Sequence, residues 1–262
     1  MSEIYSQSYR TVVWLGMDSD ADPTAIFREL SLPYPEAAMA FVCHLVKHWD
    51  PSQPAQYYTA DPETRSGERK TPDPQCSFVP SLHECFQSPI YGWMNRLRPL
   101  ELLFNAKWFS RKWVIQEVAL SRSVDVLFHN CRISWRWIGL AASIMRTRYD
   151  DALREHRLYN VYNAYLMFRL SERYDLEPAK MTFVQLLRLT SGFETSEPRD
   201  TFFALSGLKT SDHDPSDGPL LKPDYRAPYE HICTTVARTM LEIGRSRASG
   251  LDVLLNAGIT GK

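Results

Sequence analysis

The sequence predicts an α/β fold, with a partial parallel sheet in the N-terminal half followed by a mainly helical C-terminal half. Two short apolar runs predict the strands. Residues 12–16 (VVWLG) are rich in β-branched side chains and end in glycine, and residues 123–129 (SVDVLFH) alternate between polar and apolar side chains. The second half has apolar residues at helical spacing instead. The predicted α/β fold class rests on this change of pattern between the two halves.

The composition excludes several functional classes. The 262 residues are enough for one large domain or two small ones with a substantial core. The net charge of −1 argues against a general nucleic-acid binder and against a polybasic membrane protein. The five cysteines are odd in number and contain no CxxC pair, so reduced thiols in a cytoplasmic protein are the simplest account. The polar N-terminus predicts no signal peptide, and no apolar run reaches the roughly 20 residues of a membrane helix.

The chain is predicted to have two regions. Residues 1–146 hold the sheet and its helices, and residues 147–262 form a helical remainder packed on them. Residues 50–89 are rich in proline, serine, threonine and charge, and they are long for a loop within a compact domain. We therefore predict a mobile insertion at these positions.

The N-terminal elements follow from local pattern. Residues 12–16 read as a buried parallel strand, which needs neighbours on both sides. Residues 24–49 have a helical pattern that is broken by two prolines, and residues 97–104 have a helical pattern as well. We also predict a helix from Ile133 to about residue 145, with Ser134 as its cap.

The C-terminal elements are predicted to be helices. Residues 151–173 form a long stretch with apolar side chains at helical spacing, and residues 182–189 form a helix that ends before a Ser-Gly pair. Residues 198–205 have proline in the first turn and glycine just past the end. Residues 229–244 are helical, and residues 251–255 form a short final element.

Residues 107–120 carry the most informative pattern of the chain. We predict an uninterrupted helix here, with Ser110 at its N-cap. Trp113 and Glu117 are four residues apart, so they lie on one helix face. A carboxylate on the apolar side of a helix is costly unless it is paired. Glu117 is therefore either a structural anchor or a working group.

Common catalytic and metal-binding signatures are absent from the sequence. It contains no GxSxG elbow, P-loop, GxGxxG or HExxH. His44 and His48 are spaced to share a metal on a helix, but no third ligand lies near them. Cys76, His83 and Cys85 lack a standard zinc spacing. We therefore predict no metal site.

Four segments, taken in order, identify a family. They are Ile4-Tyr5 with VVWLG at 12–16, WFSRKWVIQE at 108–117, ISW at 133–135, and EPRDTFFALSGL at 197–208, with KPDY at 222–225 downstream. Together they resemble the heterokaryon-incompatibility (HET) domain of filamentous fungi. The usual opening segments of that domain, a strand like SYxWG and a segment like WIDxxCINQ, do not occur here. The resemblance therefore predicts a HET domain that lacks its N-terminal third.

The resemblance implies a cytoplasmic fungal protein that signals non-self recognition and regulated cell death. Its partners would be proteins, through self-assembly or through another incompatibility protein. HET domains are distantly similar to Toll-receptor-type (TIR) domains, which implies a TIR-like sheet. In TIR domains that cleave NAD, a catalytic glutamate lies four residues after a tryptophan, as Glu117 lies after Trp113. On this analogy Trp113 would shape the pocket, Glu117 would stabilise the oxocarbenium-like ribose as nicotinamide leaves, and NAD would be a substrate rather than a cofactor.

Three hypotheses remain open at this point: a signalling module without chemistry of its own, a TIR-like NAD glycohydrolase that uses Glu117, and a degenerate or truncated inactive fragment. For Glu117 we favour an ion pair with Arg199 or Arg111 over catalysis, since removing one member of a buried pair costs about 3–5 kcal/mol. Arg199 could instead bind phosphate. Asp200 lies in the first turn of its helix, where the helix dipole favours a carboxylate. We predict that Trp14, Trp108 and Trp135 are core residues.

Overall fold

The computed structural model describes residues 2–16, 34–47, 100–129, 131–148, 153–154, 158–171, 180–218 and 220–246. The predicted insertion at 50–89, the final element at 251–255 and the residues His48, Cys76, His83 and Cys85 lie outside this described part of the chain. The division of the chain near residue 146 stays a prediction.

A small mixed sheet forms the centre of the N-terminal half. Its strands are β1 (Thr11–Trp14), β2 (Val124–Phe128) and β3 (Cys131–Ser134), in the order β1-β2-β3. β1 and β2 are parallel, with Val13 beside Val126, and β2 and β3 are antiparallel. The predicted α/β class and the parallel pair are confirmed. The third strand makes the sheet mixed rather than purely parallel.

β3 replaces the first turn of a predicted helix. His129 follows β2 with a φ of 55°, a left-handed conformation suited to a tight reversal, and the chain then returns along β2. Cys131 and Ile133 point into the core and are 0% and 1% exposed. The helix begins only after Ser134, whose Oγ accepts a hydrogen bond from the backbone N–H of Arg136 at 3.4 Å. Residues 131–134 form a strand because they pair with β2, and the local sequence pattern does not encode this pairing.

Helices pack against the sheet and are the main regular structure among the described residues of the second half, which confirms the predicted helical character of that half. We number them α1 (Ser2–Gln7), α2 (Tyr34–Lys47), α3 (Val114–Ala119), α4 (Trp135–Arg148), α5 (Asn160–Leu170), α6 (Phe183–Leu189), α7 (Asp200–Phe203) and α8 (Tyr229–Ser246). Residues 100–104 are also helical, and Lys107–Ser110 and Pro215–Asp217 are 3-10 turns. No helix in the described part of the chain is long and apolar enough to cross a membrane.

The start of α6 shows how a local sequence signal sets a helix boundary. Thr182 is the N-cap, and its side chain accepts a hydrogen bond from the backbone N–H of Gln185 at 3.2 Å. The Gln185 side chain accepts in return from the backbone N–H of Thr182 at 2.9 Å. This capping box satisfies two backbone donors that the helix itself leaves unpaired.

α4 is the central helix of the core and packs against both α2 and α5. Its Gly139 permits the close approach of α5, because a Cβ at this position would lie 2.2 Å from a ring carbon of Phe168. Trp135, at the start of α4, is fully buried and packs edge-on against Trp108 with ring centroids 5.8 Å apart. The core prediction is confirmed for both tryptophans.

β1 differs from the buried strand that the sequence predicted. Only Val13 is buried, while Val12 is 53% and Trp14 is 72% exposed. β1 lies at the sheet edge, and β2 is its one strand partner among the described residues. Successive side chains of a strand point to opposite faces, so covering one face buries only every second residue. The predictions of a buried strand and of a core Trp14 are therefore wrong.

Candidate functional site

The segment around Glu117 is not one continuous helix. Lys107–Ser110 form a 3-10 turn, and α3 begins only at Val114. The Oγ of Ser110 donates to the carbonyl of Lys107 at 2.9 Å and to Glu194 Oε2 at 3.2 Å. Ser110 is therefore not an N-cap, and the prediction of that role is wrong.

A bridge to a distant segment interrupts the helix. The backbone N–H of Glu194 donates to the carbonyl of Ser110 at 2.6 Å, and the backbone N–H of Lys112 donates to the carbonyl of Glu194 at 3.0 Å. These bonds hold Arg111 in a parallel bridge with Glu194. An extended backbone at this point cannot belong to a helix, so α3 starts three residues later.

Trp113 and Glu117 nevertheless keep the predicted relation. Trp113 occupies the position just before α3 with helical backbone angles, and its carbonyl accepts from the N–H of Glu117 at 3.4 Å. Both side chains are half-buried. The two residues therefore lie one turn apart at the N-terminal end of α3.

The Glu117 carboxylate is held by an indole. Trp108 donates its Nε1–H to Glu117 Oε2, with 3.1 Å between nitrogen and oxygen. Trp108 is itself 8% exposed and wedged against Phe109 and Trp135, so its ring is fixed. Among the described residues, the second oxygen of Glu117 has no hydrogen-bond partner. The indole therefore fixes one oxygen of the carboxylate.

The ion pair that the sequence favoured for Glu117 is absent from the described residues. Arg199 instead pairs with Glu197, whose Oε1 lies 2.7 Å from Arg199 Nε. Arg111 is exposed and forms no ion pair with Glu117. The interpretation of Glu117 as one half of a salt bridge to either arginine is therefore wrong. Its anchor is the neutral indole of Trp108, 9 residues earlier.

Tyr5 lies on α1, which packs against the helix that carries Glu117. The phenol of Tyr5 is half-buried. Burial raises the pKa of Tyr5, the nearby Glu117 carboxylate raises it further, and Arg111 opposes the increase. The three side chains therefore share one electrostatic environment. The sequence offered no signal for this, because more than a hundred residues separate Tyr5 from Glu117.

Lys112 contributes an unusual buried cation to the same segment. It is 2% exposed, and removal from water lowers its pKa from 10.5 to about 8. Desolvation is the cause of this decrease, with no carboxylate opposing it. Lys112 therefore loses its charge far more easily than an ordinary lysine.

Arg199 and Asp200 are engaged by a segment of their own half of the chain. The hydroxyl of Tyr225 donates to Asp200 Oδ1 at 2.7 Å, and Asp200 is 8% exposed. Burial and this hydrogen bond raise the pKa of Tyr225 to about 12. The guanidinium of Arg199 donates to the carbonyls of Tyr225 and, at 3.0 Å, Ala227, and it lies 5.9 Å from the Tyr225 ring centroid. The two side chains thus tie residues 225–227 to α7.

Gln116 connects these two regions. It is 2% exposed, and its Nε2 donates to the carbonyl of Phe203 at 3.3 Å. The bond links α3, which carries Glu117, to α7, which carries Asp200. Glu117 therefore sits on a helix whose inner face is fixed to the second half of the chain.

No group of three or more His, Cys, Asp or Glu side chains that could hold a metal ion occurs in the described part of the chain. Of the histidines and cysteines weighed in the sequence, His44 lies on α2, and the others fall outside the described residues.

Comparison with known proteins identifies the N-terminal part of the chain. Residues 1–117 match the family described as "Heterokaryon incompatibility protein (HET)". The matched stretch includes β1 and Trp113 and ends at Glu117, so α7 with Asp200 lies beyond it. Neither the curated proteins nor the solved structures gave a match. The match to the HET family therefore extends over residues 1–117, which is less than half of the 262-residue chain.

Proposed function

We propose that this chain is a signalling module for non-self recognition and regulated cell death in a filamentous fungus. The family match over residues 1–117 carries the proposal. In this role the chain works in the cytoplasm through protein partners, by self-assembly or with another incompatibility protein. Exposed apolar side chains at the edge strand support a protein partner, since such surfaces commonly mark interaction sites. They are Ile4, Tyr9, Val12 and Trp14, which are 64%, 83%, 53% and 72% exposed.

Induced expression of the full chain in a filamentous fungus tests this proposal. We expect cell death, scored with a vital dye, when the protein is induced. Trp14→Ser should reduce the death at equal protein level, because it removes the largest exposed apolar side chain of β1. Tyr159→Ser is the matched control, since Tyr159 is 69% exposed at the start of α5. Normal growth at protein levels visible by immunoblot would contradict the proposal.

As a second candidate, we propose that the chain cleaves NAD with Glu117. The half-open carboxylate favours this function. Trp108 orients one oxygen, and the other has no hydrogen-bond partner among the described residues. A carboxylate placed in this way can stabilise the positive charge that develops on a ribose as nicotinamide departs. On this proposal Trp113, which is half-buried and one turn earlier, lines the pocket.

Incubation of the purified full chain with NAD, followed by measurement of free nicotinamide, tests the catalytic candidate. Glu117→Gln should abolish release and leave the melting temperature nearly unchanged, because the indole of Trp108 can still donate to an amide oxygen. Glu194→Gln is the matched control, as an exposed carboxylate beside the same segment. Absence of nicotinamide at high protein concentration would remove this candidate for the chain and leave the signalling proposal intact.

A further inference from the structure

We propose that the outer face of the three-stranded sheet is a docking surface for an acidic, amphipathic segment of a protein partner. The inference rests on the proposed signalling function only in that it names the chemistry of that partner. The outer face consists of the side chains that project away from the core, which are Arg10, Val12, Trp14, Asp125, Leu127, Arg132 and Ser134.

The register of the sheet separates this outer face from a core face. Successive side chains of a strand point to opposite faces, and directly paired residues project to the same face. Val13, Val126 and Ile133 are paired across the three strands and are 2%, 0% and 1% exposed, so they define the core face. The residues one position away along each strand therefore project to the outer face.

An apolar patch lies at the β1 edge of the outer face. Trp14 is paired with Leu127, and Val12 lies two residues before Trp14 on the same side of β1. Val12 is 53% and Trp14 is 72% exposed, while Leu127 is half-buried. Neighbouring exposed apolar side chains are typical of interaction sites, and sheets with parallel strands are commonly covered on both faces. The patch therefore favours a partner that covers it.

Two arginines border this patch and are fixed by one carboxylate. Arg10 lies beyond Val12 along β1, and Arg132 is paired with Leu127 across the sheet. Arg10 Nε is 3.3 Å from Asp125 Oδ2, and Arg132 donates to the same oxygen through Nε at 3.1 Å and through Nη2. Asp125 is 9% exposed, whereas the two arginine side chains are 44% and 39% exposed. A buried carboxylate thus holds two guanidinium groups that water still reaches.

The balance of charge on this face favours an acidic partner. The outer face has two guanidinium groups against one carboxylate, whereas the whole chain has a net charge of −1. A guanidinium has five N–H donors, so Asp125 does not exhaust either arginine.

An amphipathic segment with carboxylates on both sides of an apolar stripe matches this arrangement. Its stripe would cover Val12, Trp14 and Leu127, and its carboxylates would meet Arg10 and Arg132. A nucleic acid fits less well, because most of the patch is aliphatic rather than aromatic.

Fluorescence anisotropy with the full chain tests the inference. The probe is a labelled helical peptide with a leucine stripe bordered by glutamates, and the matched probe has lysine in place of each glutamate. We expect the acidic peptide to bind at least about tenfold more tightly at an ionic strength of about 0.01 M. The preference should shrink at about 0.15 M, because salt screens partly exposed charges.

Two variants of the outer face should weaken the binding of the acidic peptide. Trp14→Ser should do so by about tenfold, because it removes the largest exposed apolar side chain of the patch. Arg10→Gln should do so by about twofold to fivefold and reduce the salt dependence. The controls Tyr159→Ser and Arg238→Gln change exposed residues at the start of α5 and on α8, and they should bind as the parent does. Arg10→Gln leaves Arg132 bound to Asp125, and Trp14→Ser gives an independent test if Arg10→Gln does not fold.

Three results would overturn the inference: no binding of the acidic peptide, equal binding of both peptides, or an unchanged affinity in Trp14→Ser. Tighter binding of a labelled single-stranded oligonucleotide than of the acidic peptide would also overturn it, in favour of a nucleic-acid surface. Cell death on induced expression without peptide binding would remove only the docking surface. Peptide binding without cell death would contradict only the signalling proposal.

Discussion

Two regions of this molecule look alike in sequence and differ in how their polar groups are satisfied. Residues 108–117 and residues 197–203 each combine an arginine, a carboxylate and aromatic side chains. In the second region Asp200 accepts from Tyr225, and Arg199 is bound by Glu197 and two carbonyls. In the first region one oxygen of Glu117 has no hydrogen-bond partner among the described residues. Tyr225 and Glu197 satisfy the polar groups of the second region, whereas the catalytic candidate proposed above depends on the oxygen of Glu117 that Trp108 does not bind.

The first region also contains an unfavourable element that the second lacks. Lys112 is buried at 2% exposure beside the bridge to Glu194, with a lowered pKa. The second region, in contrast, balances its Arg199 with a neighbouring carboxylate. The buried Lys112 therefore lowers the stability of the region around Glu117.

Of the substitutions considered, Lys112→Met should change the unfolding free energy most. It tests whether the region around Glu117 is less stable than the region around Asp200. A pKa lowered from 10.5 to about 8 corresponds to an upper limit of about 3 kcal/mol against the charged form. We therefore expect Lys112→Met to raise the unfolding free energy by about 2 kcal/mol at pH 7, measured by urea denaturation.

The increase in unfolding free energy from Lys112→Met should depend on pH. Below pH 8 Lys112 is charged in both the folded and the unfolded state. The full free-energy cost of burying its charge is therefore present in the folded state. Between about pH 8 and 10.5 the unfolded chain binds the proton and the folded chain does not, so the stability of the parent rises with pH. The difference between the variant and the parent should shrink over this window. A constant difference from pH 7 to pH 10 would show that Lys112 is not desolvated.

Tyr225→Phe tests whether the hydrogen bond from Tyr225 to Asp200 stabilises the second region. The change leaves the buried Asp200 carboxylate without its donor, and we expect a loss of about 1–2 kcal/mol in unfolding free energy at pH 7. Tyr9→Phe is the control, because Tyr9 is 83% exposed.

The same variant gives a pH test of the Tyr225 contact. The pKa of Tyr225 is raised to about 12, so the stabilisation by the neutral phenol is complete below the ordinary value of 10.0 and is lost as the pH rises toward 12. Parent and variant should therefore converge in stability between these pH values. If the parent and Tyr225→Phe were equally stable at pH 7, the contrast between the two regions would fail, because Asp200 would then need no hydrogen-bond donor.

Glu117→Gln should have the smallest effect on stability. The indole of Trp108 can donate to the amide oxygen at the same position, and we expect a change below about 1 kcal/mol in urea denaturation. A loss of 2 kcal/mol or more would place Glu117 with Asp200 as a structural carboxylate and would weaken the catalytic candidate.

Local pattern was enough for much of the architecture. Apolar spacing predicted β2, α6 and α8, because the periods of strands and helices are properties of neighbouring residues. The helical first turn at Asp200 follows the same logic. The relation of Trp113 to Glu117 was also predictable, since it spans one helical turn.

Tertiary contacts decided the rest. The bridge from Ser110 to Glu194, 84 residues away, delays the start of the predicted helix, and pairing with β2 makes the chain at Ile133 a strand. The partners of Glu117 and Arg199 were assigned wrongly from sequence, because charge alone does not tell which groups meet. The sequence by itself determined β2, α6, α8 and the position of the Glu117 carboxylate one helical turn after Trp113. Only the folded chain decided which polar groups are satisfied and which stay open, because a hydrogen bond depends on the distance in space rather than on the distance along the chain.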